Sequence, residues 1–429
     1  MNREQSQEEF EGQLKEKQLQ EGQITEDTEK SKQENKITEG VIWKQLLLFF
    51  FPILFGTFFQ QLYNAADAVI VGQFVGKEAL SAVGGTTGTV INLLVGFFIG
   101  LGSGATVVIS QYYGAKREEM VSFAVHTAIA FSLAAGLILM LIGLPLAPAI
   151  LRSMSTPEDV LDLLFVVCFK MGVAGAALAT ILSQLLSAVL VIIVLMRTKD
   201  MYHLELKKIG FDKRMFRRII RIGFPAGLQS VMYSLSNLII QVAINKEGTD
   251  TVAAWTVYGK IDVMFWMVIN AFGISVTTFV GQNFGAEKLD RVKKGIRTCL
   301  GLSLVATVLI STFLYVGCGV IFSFFTKDAA VIEIGVQIAR FLVPLYVTYI
   351  CVEIMSGSLR GVGDVWIPTL ICLSGICLIR VIWIMTAVPV WPGIRTIIFS
   401  YPLTWTVTSI LFILYYLFFS KIKKKAAGR

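Results

Sequence analysis

The stretches Gln111-Tyr-Tyr-Gly-Ala-Lys116 and Gln282-Asn-Phe-Gly-Ala-Glu287 are two versions of one short motif. Each ends a long apolar region that opens at a proline, Pro52 in the first case and Pro225 in the second. The two motifs are 171 positions apart and the two prolines 173 positions apart, so they align almost without a gap. The chain is therefore predicted to be an internal duplication, with two related helical halves.

The spacing between the halves changes abruptly after this region. It is 170 positions at Thr156 and Thr326, but the next good alignment, Gly175 with Gly393, has a spacing of 218 positions. The first half is therefore 48 residues shorter than the second, about the length of two membrane-spanning helices. Either these helices are deleted from the first half, or the gene was assembled with a gap.

The composition is typical of a membrane protein. Hydrophobic residues make up 55% of the 429 positions and charged residues 16%, which disfavours a soluble enzyme. Apolar runs long enough to span a membrane cover roughly residues 45–74, 79–110, 120–150, 172–196, 219–245, 251–281, 297–325, 331–358, 366–388 and 396–420. We predict an all-α polytopic membrane protein of two homologous lobes, with four transmembrane helices in the first and six in the second.

Charge divides the chain into segments. Residues 1–40 hold 11 acidic and 6 basic side chains and almost no apolar ones, which predicts a disordered cytoplasmic tail. The predicted segments that follow are a shortened transmembrane lobe (41–197), a cytoplasmic linker (198–218), a second transmembrane lobe (219–420) and a basic tail (421–429).

Basic side chains are concentrated in alternate loops. Nine lie between Arg197 and Arg221 and five between Lys288 and Arg297, whereas the loops between them carry single ones. Because loops rich in Lys and Arg stay in the cytoplasm, both termini are predicted to be cytoplasmic, in a multi-pass protein of the plasma membrane. These charges favour contact with anionic lipid over nucleic acid.

The first apolar run carries a polar face. Gln60, Tyr63, Asn64 and Asp67 follow helical i, i+3, i+4, i+7 spacing and lie on one side. Such a face lines either a water-filled cavity or a contact between helices. A cavity is favoured, because no basic residue accompanies the carboxylate of Asp67.

Other ionisable residues lie in or beside apolar runs of the second half. Lys260 and Asp262 come early in one run, whereas Glu353 and Arg380 lie deep in theirs. A charge in a span is costly, so each is a candidate for a function, although Glu353 and Arg380 also have the option of neutralising each other. Tyr349 is a candidate for binding flat cations through its ring. No catalytic residue or metal site is predicted.

Several motifs resemble those of the multidrug and toxic compound extrusion (MATE) transporters. They are Gln60-Gln-Leu-Tyr-Asn-Ala-Ala-Asp67, Val71-Gly-Gln-Phe-Val-Gly76, Ala79-Leu-Ser-Ala-Val-Gly84, Val280-Gly-Gln-Asn-Phe-Gly-Ala286 and Leu359-Arg-Gly-Val-Gly-Asp364. The resemblance extends over residues 45–420 and recurs in both halves. The positions that carry family motifs are Gln111, Gly114, Gln282, Asn283, Gly285, Arg360, Gly361, Gly363 and Asp364.

This resemblance implies an antiporter of two six-helix lobes that exports amphipathic, often cationic, organic compounds in exchange for H⁺ or Na⁺. It implies a coupling-ion site in the first lobe, where Asp67, Asp162 and Thr180 match family positions and Asn64 lies on the same face as Asp67. The family has an asparagine four residues before the second aspartate, where this chain has Glu158. It further implies a substrate cavity, to which we assign Gln60, Tyr63, Glu353, Lys260, Arg380 and Tyr349.

Three functions stay open on the sequence. The first is multidrug efflux of small organic cations by a monomer in the lipid bilayer, with no cofactor beyond the coupling ion. The second is a shortened chain that no longer transports and serves as a membrane interaction partner or a remnant. The third is a flippase for lipid-linked saccharides, which the scarcity of basic residues within spans disfavours.

Overall fold

The computed structural model describes the backbone of residues 36–74, 86–153, 173–420 and 422. It describes side chains within residues 37–62, 93–141 and 184–420 and at 422. The helices of the first half are α1 (Ile42–Phe74), α2 (Thr86–Gly114), α3 (Glu118–Ser153) and α4 (Val173–Arg197). Those of the second half are α5 (Lys213–Asn245), α6 (Thr249–Gly285), α7 (Leu289–Phe325), α8 (Ala329–Leu342), α9 (Val347–Gly361), α10 (Trp366–Cys372), α11 (Ile379–Val390) and α12 (Ile394–Phe418).

Two pairs of short helices in the second half form continuous but irregular rods. A 3₁₀ turn at Val343–Tyr346, which contains Pro344, joins α8 to α9. A π turn at Leu373–Leu378 joins α10 to α11. Proline lacks the backbone N–H that a regular helix uses, and a π turn contains one residue more than an α-helical turn. Both irregularities change the direction of the side chains that follow them.

The predicted membrane fold is confirmed. Nine stretches of the described chain are long and apolar enough to cross a membrane, three in the first half and six in the second. The remaining predicted span, 172–196, coincides with helix α4. Within the described residues, each of the ten predicted spans thus coincides with helix.

The shorter first half is visible in the order of the helices. Between α7 and α12, the second half contains two spans built from α8 to α11. At the corresponding place the first half has only residues 154–172, which the structure does not describe. These 19 positions are too few for two spans of about 20 residues each.

Helices α2 and α5, which come from different halves, cross at glycines. The four residues are Gly100, Gly104, Gly223 and Gly227. A Cβ atom added at Gly104 would lie 2.3 Å from the carbonyl oxygen of Ile219, far closer than real atoms approach. Small residues four positions apart let two helix backbones touch in a membrane.

Helix α1 packs against helices of the second half. Leu46 and Phe50 of α1 are buried in the hydrophobic core that α6 and α7 provide. The ring of Phe50 stacks on that of Phe272, with 4.1 Å between centroids. In contrast, the described part of α4, residues 184–197, is largely exposed. The two halves therefore interlock through α1 and α2, rather than packing as separate bundles.

Helices α2 and α6 end in the same turn. Lys116 (φ 54°) and Glu287 (φ 61°) both adopt the left-handed backbone conformation. In each turn the amide of the next residue donates to the carbonyl five positions earlier, at 3.0 Å and 2.9 Å respectively. This is the Schellman arrangement that ends many helices, here with a charged residue where glycine is usual. The repeated motif therefore builds a repeated structure.

The described chain begins inside the predicted tail 1–40. Residues Lys36–Thr38 form a 3₁₀ turn, and the segment up to residue 40 is held by the start of the second lobe's helix α7. Arg291 donates to the carbonyl oxygen of Glu39 at 2.6 Å, and Lys288 donates to a carboxylate oxygen of the same residue at 3.2 Å. Residues 1–35 lie outside the described chain.

The linker is shorter than predicted. Helix α5 begins at Lys213, so the last six residues of the predicted segment 198–218 are already helical. Asp212 caps this helix, since its side chain accepts from the amides of Arg214 and Met215 at 3.0 Å and 2.9 Å. The capping carboxylate satisfies two of the free amides of the first turn, which explains why the helix starts before the apolar run.

Candidate functional site

A cavity of about 680 Å³ lies where the two halves meet. Its walls come from α2 and α5, from α6 and α9, and from the start of α11 and the middle of α12. Its main polar lining residues are Gln229, Asn237, Asp262, Asn270, Glu353, Arg360 and Arg380. This volume is within the usual range for a site that encloses a small organic molecule.

Asp262 contributes one carboxylate to the cavity wall. One of its oxygens accepts from the indole N–H of Trp266 at 2.5 Å, and the other accepts from the hydroxyl of Tyr346. The hydroxyl of Tyr346 also lies 2.8 Å from that of Tyr258. Three aromatic side chains thus orient this carboxylate. The predicted site omitted Asp262, although a carboxylate in an apolar run was a signal for it.

Glu353 contributes the second carboxylate, as predicted from its place deep in a span. One oxygen accepts from the hydroxyl of Tyr349 at 3.1 Å. The other lies against Gly273, where an added Cβ atom would be 2.2 Å away. Gly273 therefore leaves the space that this side chain occupies, and the structure brings Glu353 and Tyr349 together at the cavity.

Aromatic rings form the wall between the two carboxylates. Trp266 and Tyr349 meet edge to face with 4.8 Å between ring centroids, and Tyr349 and Trp405 do so at 5.6 Å. Edge-to-face packing is a favoured arrangement of aromatic pairs and helps to fix the rings in position. All three residues line the cavity.

Arg380 lies on another part of the wall and is 4% exposed. It donates to the side-chain oxygens of Asn237 at 3.2 Å and Thr404 at 3.4 Å. No carboxylate of the described chain lies within 4.0 Å of its nitrogens, so the alternative in which Arg380 neutralises Glu353 is wrong.

Two residues assigned to the cavity do not line it. Lys260 is exposed, and it precedes Asp262 by two positions on α6. Two positions correspond to about 200° around a helix, which places Lys260 on the opposite side. Gln60 is also exposed, near the end of the part of α1 whose side chains are described.

The predicted coupling-ion site lies mostly outside the described residues. Tyr63, Asn64 and Asp67 belong to α1 and Thr180 to α4, but the structure describes only their backbone. Asp162 falls in the undescribed stretch 154–172. Their assigned roles therefore stay predictions.

The repeated motif closes one end of the bundle. A Cβ atom added at Gly114 would lie 1.9 Å from the carbonyl oxygen of Gln282, and one added at Gly285 would lie 1.9 Å from that of Gln111. Each glycine thus touches the glutamine of the other copy. The side-chain Nε2 of Gln111 also donates to the carbonyl oxygen of Gly361 at 2.8 Å. These contacts join α2 to α6 and to the end of α9.

The other family-motif residues support this closed end. Asn283 donates to the carbonyl oxygen of Phe279 at 2.8 Å, and Asp364 accepts from the hydroxyl of Tyr415 at 2.7 Å. Gly363 has a φ of 76°, which favours glycine. Sequence reasoning missed Arg218, which donates to the side-chain oxygen of Gln111 at 2.7 Å. Its place among many basic residues at the start of α5 concealed this contact.

One family model of known proteins matches each half of the chain separately. The family model described as MatE matches residues 52–191 and again residues 225–386. The two matches begin at Pro52 and Pro225, the residues that the internal repeat aligns. The duplication predicted from the sequence is therefore confirmed.

Two bacterial proteins align with most of the chain. The probable multidrug resistance protein YoeA of Bacillus subtilis (strain 168) is 25% identical over an alignment of 398 positions, which covers 80% of this chain and 86% of YoeA. The multidrug export protein MepA of Staphylococcus aureus (strain NCTC 8325 / PS 47) is 23% identical over an alignment of 398 positions, which covers 81% of this chain and 88% of MepA. Since 80% of 429 residues is about 343, about 55 of the positions aligned with YoeA have no residue here. That number is close to the 48 residues missing from the first repeat.

Solved structures share the fold. A crystal structure of MATE in the straight conformation has a TM-score of 0.81 at 19% identity, covering 91% of this chain and 98% of that one. An outward-facing conformation of a multidrug resistance MATE family transporter of the MOP superfamily has a TM-score of 0.79 at 18% identity, covering 91% and 99%.

Proposed function

Because this chain belongs to the MatE family of multidrug and toxic compound extrusion transporters, we propose that it exports amphipathic organic cations in exchange for H⁺ or Na⁺. The observation that carries this proposal is the cavity between the halves, with the carboxylates of Asp262 and Glu353 on its wall. The similarity to YoeA, a probable multidrug resistance protein, and to MepA, a multidrug export protein, supports it.

The cavity chemistry suits a flat cationic ligand. Asp262 and Glu353 are oriented by hydroxyl and indole donors, and no lysine or arginine of the described chain neutralises them within 4.0 Å. A carboxylate in a low-dielectric site attracts a cation more strongly than one in water. The rings of Trp266, Tyr349 and Trp405 offer apolar contact and cation–π attraction.

Coupling is proposed to link two binding events, that of the coupling ion in the first lobe and that of the substrate in the cavity. A proton or Na⁺ that binds Asp67 in the first lobe changes the preference of the protein between its two conformations, and so does a substrate that binds in the cavity. Exchange results when each ligand favours a different conformation. The family positions Asp162 and Thr180, together with Asn64, are proposed to complete the ion site.

The closed end is proposed to face the cytoplasm. The turns that follow Gly114 and Gly285 carry basic residues, and such loops stay inside the cell. The described conformation would then open outward, in a plasma-membrane protein with both termini in the cytoplasm. Single cysteines at Lys246 and Lys327 should react with an impermeant thiol reagent added outside, whereas those at Lys208 and Lys293 should not. The reverse pattern would reject this orientation.

The test of function is efflux of ethidium from a pump-deficient host. Asp262→Asn and Glu353→Gln keep the side-chain shape and remove the charge, so each should abolish efflux while the protein stays in the membrane. Glu333→Gln is the matched control, because Glu333 is exposed on α8 and is not a lining residue. Undiminished efflux by both cavity variants would contradict the proposal.

A transport-inactive chain is the second candidate, and the missing helix pair favours it. We expect that, without two helices, the first lobe would leave a gap through which water or lipid would reach Asp67 from both sides. A carboxylate open to both sides does not couple two fluxes. Absence of ethidium efflux by the unaltered chain, at a normal level in the membrane, would support this candidate.

A further inference from the structure

The cavity contains a buried cation that the export of simple organic cations does not need. Arg380 is 4% exposed. It is the second residue of α11, which follows directly after the π turn at Leu373–Leu378. Its guanidinium carbon lies 4.3 Å from the centre of the Tyr401 ring. Irregular π turns of this kind are frequent at functional sites, because they redirect the next side chain.

The hydrogen bonds of Arg380 are incomplete. Its two terminal nitrogens reach only neutral oxygens, those of Asn237 at 3.2 Å and Thr404 at 3.4 Å. Its Nε–H has no partner among the described residues. A guanidinium in a span is costly even when paired, and an unused buried donor adds to the cost. The structure thus keeps a positive charge at the cavity wall with one donor unsatisfied.

The carboxylates of the cavity do not supply the missing partner. Asp262 is held by Tyr346 and Trp266, and Glu353 is held by Tyr349. Neither lies within 4.0 Å of the nitrogens of Arg380. The lining thus holds these two carboxylates together with two arginines, Arg360 and Arg380, and a ligand that fills the cavity contacts both kinds of charge.

We propose that Arg380 is an anion subsite, which binds the carboxylate of a zwitterionic substrate whose amine faces Glu353 and Asp262. A planar carboxylate matches the planar guanidinium and accepts from Nε and a terminal nitrogen together. Tyr401 lies against one face of the guanidinium, with 4.3 Å between its ring centre and the guanidinium carbon. This inference rests on the proposed multidrug cavity and adds to its substrates amphipathic compounds that carry both charges.

The test compares two dyes that differ in one group. Rhodamine 110 has a free carboxylate and a cationic ring system, and rhodamine 123 is its methyl ester. Fluorescence anisotropy measures their binding to the purified full chain in detergent, without any need for transport. The unaltered chain should bind rhodamine 110 about tenfold more tightly than rhodamine 123, because only the former forms a charged hydrogen bond.

Arg380→Gln should remove this preference by weakening the binding of rhodamine 110 about tenfold while changing that of rhodamine 123 little. Arg380→Lys, which keeps the charge without the planar fork, should retain part of the preference. Arg340→Gln is the control, since Arg340 is exposed at the end of α8, and it should change neither dye.

Each outcome decides the inference. Equal binding of the two dyes by the unaltered chain would overturn it, even where the Arg380 variants fail to fold. A preference that survives in Arg380→Gln would also overturn it. A preference that depends on Arg380, in a chain without efflux, would support the anion subsite and reject only the antiporter. Binding of neither dye would overturn both proposals.

Discussion

Substitution of Gly285 by alanine should force the closed end of the bundle apart. The new Cβ atom would lie 1.9 Å from the carbonyl oxygen of Gln111, whereas ordinary contacts begin at 3.4 Å. The ends of α2 and α6 must therefore separate by about 1.5 Å, since backbone atoms have no rotamer to change. Overpacking of this size costs about 1–3 kcal/mol. The hydrogen bond from Gln111 to Gly361 should be lost with it.

This cost falls on the closed arrangement alone, so the population of that arrangement should drop about tenfold for each 1.4 kcal/mol. Spin labels at exposed Glu118 and Asp290, in a background without native cysteines, report the distance between the starts of α3 and α7. Gly285→Ala should lengthen or broaden the distance distribution. Gly259→Ala, on the same helix with no atom within 4 Å of its added Cβ, should not. An unchanged distribution in Gly285→Ala would refute the direct contact as the closing element.

Three further results are expected. Gly104→Ala should lower the melting temperature in detergent, because its Cβ would lie 2.3 Å from the carbonyl oxygen of Ile219. Gly102→Ala is the control, since its Cβ would have no atom within 4 Å. Equal melting temperatures of the two variants would contradict the close crossing of α2 and α5 at glycines. Glu287→Gly should stabilise the protein by up to about 1 kcal/mol, because it relieves a left-handed conformation, and a lower melting temperature would show that the side chain matters more. Insertion of a helix pair from a related transporter within residues 154–172 should raise both melting temperature and ethidium efflux; no gain in either would show that the shortened lobe is complete.

The sequence alone determined the features that depend on local composition. Hydropathy predicted the spans, since a helix must present about 20 apolar residues to lipid whatever its neighbours are. The repeat of Gln111 to Lys116 in Gln282 to Glu287 predicted the duplication and the shorter first half. Charges deep in apolar runs predicted Glu353 and Arg380 as cavity residues, because such groups are retained only with a reason.

Tertiary structure decided which of these residues meet. Asp262 is oriented by Tyr346, 84 positions away, and a contact at that separation leaves no trace in the local pattern. The option that Glu353 pairs with Arg380 failed, because the guanidinium donates to Asn237 and Thr404 instead. Gly114 and Gly285 were recognisable as a repeat, but only the packing of α2 against α6 makes each touch the other copy of the motif. Hydropathy sets which segments enter the membrane, whereas the close packing of helices across the two halves sets which side chains face one another.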